Sequence, residues 1–379
     1  MNGRDRYDVI VVGVGGVGSA TAYRLARRGA DVLGLERFDV PHGRGSSFGT
    51  RLILPAGHRP TPEALDRRAY ALWRDLETET GRRLLSVTGS LGISPAGGEQ
   101  FENELRACRR HGVDHEVLTG SEVSERFPAY DLPADYEAVF QPGGGFLDCD
   151  RCIAAHVEAA HRHGAEIRAR ERVTGWRSTP TGVDVTTTRG EYEAAALVVT
   201  AGAWAGKLVD SLRDLLTPEL HLTARFQPTA PERFAPENFP VFSMTAEEGF
   251  CYGTPIHRTP GFKFAHGRPL ERPTDPDAPD REPTVEDESR LRRVAERYFP
   301  EGVGATMGLK TGFITWTADR SYSSPVLDTL PEAENVVVGA GFSGGGFSSA
   351  PVTGEILADL ALDGRTDYDT DRFSMRRFD

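Results

Sequence analysis

"YDVIVVGVGGVGSATAYRLARRGADVLGLE", Tyr7 to Glu36, reads as a strand, a glycine turn, a helix and a second strand. "YDVIVVG" is a near-continuous apolar run rich in Val and Ile, which suits a strand buried on both faces of a parallel sheet. "SATAYRLARRG" carries Ala20, Tyr23 and Leu25 or Ala26 at helical spacing. "DVLGLE" closes a βαβ unit. Between strand and helix, Gly13, Gly15 and Gly18 form GxGxxG, permitting a tight turn, close approach of backbone to a pyrophosphate and close helix–strand packing. The helix start offers unpaired N–H groups and the positive end of its dipole to phosphates. Glu36, at the end of the second strand, stands where a carboxylate accepts bonds from ribose hydroxyls, and an acid there argues against the 2′-phosphate of NADP. The expectation is an α/β protein with a doubly wound, Rossmann-like dinucleotide domain.

Bulk properties narrow the class. A chain of 379 residues is expected to divide into two domains. Hydrophobic residues at 39% with 26% charged residues fit a soluble globular protein. A net charge of −12, with no basic stripe to offset it, argues against a nucleic-acid partner. No apolar run approaches the roughly 20 residues of a membrane helix. The first strand begins almost at once, leaving no room for a signal peptide, and four cysteines do not make a disulfide framework. A cytoplasmic protein, monomeric or a small homo-oligomer, is expected.

Further along, "TPEALDRRAYALWRDLETETG" predicts a helix capped by Thr61, with Pro62 in its first turn and Gly81 at its end. Residues 84–146 mix short strands and helices. Asp150 is expected to open a helix ending near Gly164, followed by a hairpin and the strand "AALVVT". Glu219 to Gly312 is mostly strand-like, interrupted by the charged, proline-rich "GRPLERPTDPDAPDREP" and by a helix capped by Thr284. α/β character returns with "NVVVGA", the turn "GFSGGGF" and a helix reaching about Leu362. This interleaving predicts a nucleotide domain made of residues 1–84, 147–216 and 312–379. Residues 85–146 and 217–311 would form an α+β substrate domain with a mixed sheet.

"GFKFAHG" raises a chemical question. In an extended segment Phe262 and Phe264 share one face and Lys263 takes the other, with open space left by Gly261, Ala265 and Gly267. Only three lysines occur, Lys207, Lys263 and Lys310, among 44 basic residues, and a compact ammonium is not interchangeable with a guanidinium. A solvated strand face or a cavity would each explain it. "CDRC" places Cys149 and Cys152 at CxxC spacing before a helix, which fits a redox pair or, as expected here, two half-buried thiols. His156, His161 and His163 do not join them in a zinc spacing, so no metal is expected. Residues 268–288 read as a solvated loop or a lid.

The long form "GVGGVGSATAYRLARRGADVLGLE" resembles the glycine-rich segment of FAD proteins in the D-amino-acid oxidase and glycine oxidase superfamily. "LVVTAGAW" and "VVVGAGFSGGGF" resemble that superfamily's later cofactor turns, in the expected order. "PHGRGSSFGTR", "GFCYGTP", the "FKF" strand and "GFSG" resemble the family of monomeric sarcosine oxidase and N-methyltryptophan oxidase. The resemblance spans nearly the whole chain and implies FAD. It places cofactor contacts at Gly13, Gly15, Gly16, Val17, Gly18, Glu36 and Arg37. Gly45, Ser46, Thr50 and Arg51 would follow, then Val173, Ala201, Gly202 and Trp204. The C-terminal turn would add Gly341, Phe342, Gly344, Gly345, Gly346 and Ser348. Lys263, Tyr252, Arg51 and His266 are the implied catalytic residues, with Lys263 assisting the reaction with oxygen.

Departures from the family pattern matter as much. "LKTGFITWT" resembles the segment whose cysteine tethers the flavin, but Thr315 stands in the cysteine's place, so noncovalent FAD is expected. The carboxylate-clamping arginine and lysine fall at Leu54 and Ser348, a histidine at Gly345 and a tyrosine at Thr317. His266 is shifted by one residue, which in a regular strand turns it away from Lys263. The implied pocket is Leu54, Thr315, Thr317, Gly345 and Ser348, with His58, Arg59 or Arg225 as substitute cations. The expected activity is oxidation of a C–N bond in an amine or modified amino acid of specialised metabolism. An imine and hydrogen peroxide would be the products, and sarcosine is not the expected substrate. A flavin dehydrogenase with a non-oxygen acceptor and an inactive flavin-binding scaffold remain open alternatives.

Overall fold

The computed structural model describes residues 5–45, 49–56, 63–267, 270, 274–278, 282–321 and 324–379. Expectations at Ser46, His58, Arg59, Thr61 and Pro62 lie outside the described residues. The chain begins β1 (Asp5–Val12), α1 (Gly16–Arg27), β2 (Val32–Leu35), β3 (Thr50–Ile53), α2 (Glu63–Thr80), β4 (Leu85–Val87) and β5 (Ser90–Pro95). It continues with α3 (Glu99–His111), β6 (Glu116–Thr119), α4 (Gly120–Arg126), β7 (Tyr136–Gln141), β8 (Gly145–Asp148), α5 (Cys149–Arg162) and β9 (Glu166–Arg168). Next come β10 (Val173–Thr179), β11 (Gly182–Thr187), β12 (Glu191–Val199), α6 (Ala205–Leu208), β13 (Leu216–Phe226), β14 (Val241–Ala246), β15 (Gly249–Thr254) and β16 (Phe262–His266). The chain closes with α7 (Val285–Tyr298), β17 (Thr306–Thr317), β18 (Val326–Leu330), β19 (Ala333–Ala340) and α8 (Ala350–Asp363).

β1 lies inside the first sheet, paired in parallel with β2 on one side and β12 on the other. β9 and β19 extend this parallel core, and the β10–β11 hairpin lies beyond β12. Both faces of β1 are buried, as its unbroken apolar run requires: Val9 and Val11 pack toward the helices, Ile10 and Val12 toward the opposite core. Small residues let α1 approach α8 closely. A Cβ on Gly354 would stand 2.8 Å from the Ala20 carbonyl carbon. α5 begins one residue earlier than expected, and its cap is Asp148, whose side chain accepts from the Arg151 amide at 3.2 Å. Asp150 sits in the first turn instead, where a carboxylate also favours the helix.

A second eight-stranded sheet runs β17-β13-β16-β15-β14-β5-β7-β6. Its strands come from both expected parts of the substrate domain, and β17 continues past the expected division at 311. One face is an aromatic core in which Phe226, Phe239, Phe242, Phe262, Phe264 and Phe299 pack together beneath α7. Thr284 caps α7 in a reciprocal box with Asp287. The alternate residues of the same strands face the other way. On β13 these are His221, Thr223 and Arg225, whose register partners on β16 include Ala265 for Thr223 and Lys263 for Arg225. A small sheet of β3, β8 and β4 supplies Arg51 and Leu52.

Candidate active site

The two large sheets border a cavity of about 1610 Å³. At one end lies the glycine turn. Gly13 has φ +92°, and a Cβ there would stand 2.6 Å from the Thr200 carbonyl oxygen. A Cβ on Gly18 would stand 1.8 Å from the Gly13 carbonyl oxygen, so this glycine serves backbone packing. Gly15 differs: nothing lies within 4 Å of where its Cβ would be, and it lines the cavity at the start of α1. That open cradle at a helix N-terminus is the arrangement a pyrophosphate needs. Glu36 is buried and accepts from the Val14 amide at 2.9 Å and the Phe38 amide at 3.0 Å, with His42 Nε2 at 3.6 Å. Burial raises its carboxyl, but the bonds from His42, Phe38 and Val14 outweigh burial and hold it below the usual carboxylate range.

At the other end, β13, β15, β17 and β3 bring polar groups to the cavity wall. Arg51, Thr223, Tyr252 and Thr315 line it, together with His221 and Trp316, while Phe313 of the same strand packs on Trp204 at 5.7 Å between centroids. Lys263 sits directly behind this wall, 2% exposed. Its ammonium donates to the Thr50 carbonyl at 2.7 Å and lies 5.8 Å from the Tyr252 ring centroid. The same carbonyl accepts from Arg51 Nη1 at 3.1 Å, and Thr50 Oγ1 bonds Thr254 Oγ1 at 2.8 Å. Burial pushes the Lys263 ammonium well below the usual lysine range, and the Arg51 charge pushes the same way. The bland alternative, a lysine on a solvated face, is excluded by that burial.

Most expected cofactor positions also line the cavity, including Gly16, Val17, Arg37, Gly45, Val173, Ala201, Gly202 and Trp204. So do Gly341, Phe342, Gly344 and Gly346 of the C-terminal turn. Gly345 and Ser348 do not; the Ser348 carbonyl accepts from Trp73 Nε1 at 2.8 Å beneath the turn. Leu54 packs with Leu52, Phe146 and Val241 instead of lining the wall. Thr317 is buried with its hydroxyl on Asp319 at 2.6 Å. Thr315 alone of the expected pocket residues borders the space, its carbonyl bonded to the Ser343 amide at 3.0 Å. Arg225 does not line it either: its guanidinium lies against Gly49, where a Cβ would stand 2.6 Å from Nη2.

The histidine expectation needs correction. His266 points away from Lys263, with Nε2 2.8 Å from the Glu248 carbonyl, and does not line the cavity. His221 does line it, its ring stacked on Tyr252 with centroids 6.1 Å apart at 21°. Burial and the nearby charges of Lys263 and Arg51 hold its pKa down at about 4, so its imidazole is neutral at pH 7. The signal for His221 was present in "ELHLTARF", whose strict alternation puts His221, Thr223 and Arg225 on one face. The cysteines are inert: all four are buried, none lines the cavity, and burial raises the Cys152 thiol.

A family model described as FAD dependent oxidoreductase matches residues 8–360. The chain belongs to that family. It is 37% identical to the monomeric sarcosine oxidase of Bacillus sp. (strain NS-129), over 98% of this chain and 97% of that protein. It is 32% identical to the N-methyl-L-tryptophan oxidase of Yersinia pestis (strain Pestoides F), over 98% of this chain and 99% of that one. Among solved structures, NikD, an unusual amino acid oxidase essential for nikkomycin biosynthesis, matches with a TM-score of 0.85 at 28% identity. That match covers 98% of this chain and 97% of the other. This FAD-dependent oxidoreductase has a site that fits its cofactor: an open cradle at Gly15, an ionised ribose-end acid at Glu36, and a cavity continuing to the wall of Arg51 and Tyr252 in front of Lys263. No helix among the described residues is long and apolar enough to cross a membrane.

Proposed function

We propose that the protein is an amine oxidase that holds FAD without a covalent bond and acts on an amine or modified amino acid other than sarcosine. The substrate's CH–NH unit loses two protons and two electrons to become an imine, and O2 gains the same two protons and two electrons as hydrogen peroxide. When bound, FAD supplies the redox step, while the chain supplies orientation and electrostatics. One observation carries the reading: Lys263 is buried on the Thr50 carbonyl behind Arg51 and Tyr252, at the end of the cavity opposite the dinucleotide cradle. Negative charge developing as oxygen is reduced favours the Lys263 ammonium, which in turn stabilises that charge. Neutral His221 on the same wall can accept a hydrogen bond from an amine N–H.

Noncovalent retention is supported by Thr315 at the cavity wall and by the burial of every cysteine away from it. Acid denaturation is expected to release all of the flavin into solution, and the holoenzyme is expected to release peroxide in air with a suitable amine. Flavin fluorescence remaining on the denatured chain in a gel would refute the first expectation. Anaerobic reduction by an amine without peroxide formation in air would instead identify a dehydrogenase.

A further inference from the structure

The acidic, proline-rich stretch after β16 does not simply project into solvent. Its Leu270 amide donates to the Leu220 carbonyl at 2.8 Å and its Thr274 amide to the Pro218 carbonyl at 2.8 Å, which ties it to β13. Asp277 then reaches the nucleotide sheet. Trp204 Nε1 donates to its Oδ1 at 2.9 Å, Arg37 Nη1 lies 3.0 Å from the same oxygen, and Lys207 Nζ donates to Oδ2 at 2.7 Å. Asp275 accepts from the same ammonium at 2.5 Å and from the Asp277 amide at 2.9 Å. The Arg37 guanidinium lies against two rings that meet edge-on 5.3 Å apart, 4.9 Å from the Phe38 centroid and 4.8 Å from that of Trp204. Arg37, Phe38, Trp204, Lys207 and Asp277 all line the cavity, and Arg37 and Phe38 directly follow Glu36 at its ribose end.

We propose that residues 274–278 are a latch that retains FAD by fastening Arg37, Trp204 and Lys207 over the adenosine end of its site. This rests on the noncovalent reading given above. Without a flavin–cysteine bond the rate of cofactor loss is set by noncovalent contacts, and here the substrate-sheet segment adds to them. Surface ion pairs usually contribute little. These differ in converging on one carboxylate, and in joining side chains that border the ligand space instead of two points on the exterior. Asp277 is 39% exposed and Lys207 41% exposed, so the latch is within reach of salt screening. Asp277 is nonetheless ionised throughout the neutral range, its pKa drawn down to about 2 by Lys207 despite partial burial.

The test is the rate of FAD dissociation from the holoprotein, followed by flavin fluorescence after dilution into an excess of a flavin-trapping apoprotein. Asp277→Ala is expected to release FAD about tenfold faster at low salt, equivalent to about 1.4 kcal/mol. Raising salt to about 0.5 M is expected to speed the parent toward the variant's rate while moving the variant much less. Asp184→Ala, which removes the exposed pair with Arg177, serves as the control and should leave the rate unchanged. Equal rates in Asp277→Ala and parent, or equal acceleration in the control, would overturn the latch. Flavin released by acid but with an unchanged off-rate in Asp277→Ala removes the latch alone. Flavin remaining on the denatured parent removes the noncovalent reading and the latch with it.

Discussion

At Lys263, strand alternation and chemistry point to the same position. Phe262 and Phe264 enter the aromatic core, and the lysine between them turns to the Thr50 carbonyl. The alternation was legible in "GFKFAHG"; the burial was not, because small flanking residues leave room for solvent and cavity alike. His266 lies on the face its one-residue shift indicates, away from Lys263, so its catalytic assignment falls, and the imidazole that does line the cavity, His221, comes from a different strand. Register between strands distant in sequence is set by the fold, and one chain read alone does not display it. Because burial and Arg51 both disfavour the Lys263 ammonium, negative charge developing nearby favours its charged form. Lys263→Met is therefore expected to slow reoxidation by air by roughly 100-fold, as for other preorganised electrostatic groups, with anaerobic reduction by the amine largely preserved. Stopped-flow measurement of the two half-reactions checks this, and equal reoxidation rates in variant and parent would reduce Lys263 to a packing residue.

Elements with one clear period were read correctly: β1, α1, β2, the β10–β11 hairpin, α7 and β19 all lie where their patterns place them. Missing from the pattern was the way elements hold one another. α3 carries Glu104, wholly buried against β5, where a Cβ on Gly92 would stand 1.8 Å from its Oε2. Gln141 of β7 donates to Glu104 Oε1 at 2.7 Å and to the Ala56 carbonyl at 2.9 Å, while accepting from the Ala56 amide at 3.0 Å. The network thus fixes the chain just beyond β3, the strand that carries Arg51. Burial pushes the Glu104 carboxyl up to about 8, with the Gln141 bond pulling the other way. The folded protein keeps this proton between roughly pH 4.5 and 8 where the unfolded chain loses it, so the folded state binds more protons and stability falls as pH rises. Glu104→Gln removes the titration. Its melting temperature is expected to match the parent near pH 5 and exceed it near pH 9, since each unit of pKa difference corresponds to about 1.4 kcal/mol. Parallel melting curves across that range would show that Glu104 is not held neutral.

At the scale of the whole molecule, the first sheet is built from strands at the start, middle and end of the chain, where the sequence reads as α/β. The same reading assigned residues 85–146 to the substrate side without showing that α3 would border the active cavity. Gln100, Asn103 and Ala107 of that helix line it, as do Thr245 and Phe250 from β14 and β15. The space therefore continues past Tyr252 and His221, beyond what a molecule as small as sarcosine would fill. A site can orient sarcosine chiefly through its carboxylate, and truncating one partner of a buried charge pair costs about 2–5 kcal/mol, or roughly 30- to 5,000-fold in binding. Leu54 and Ser348 lack the charge for that pairing, and neither lines the cavity. Arg51 remains at the wall, but its guanidinium already donates to the Thr50 and Gly45 carbonyls. A larger secondary amine, or an amino acid whose carboxylate is masked, gains apolar contact along Phe250 and the α3 side of the space that sarcosine cannot reach. In a peroxide-release screen of amines paired with and without a free α-carboxylate and graded by size, kcat/KM is expected to rise with size. Removing the carboxylate is expected to cost little. Efficient turnover of sarcosine, with strong dependence on its carboxylate, would mean that a cation reaches the substrate from elsewhere in the wall.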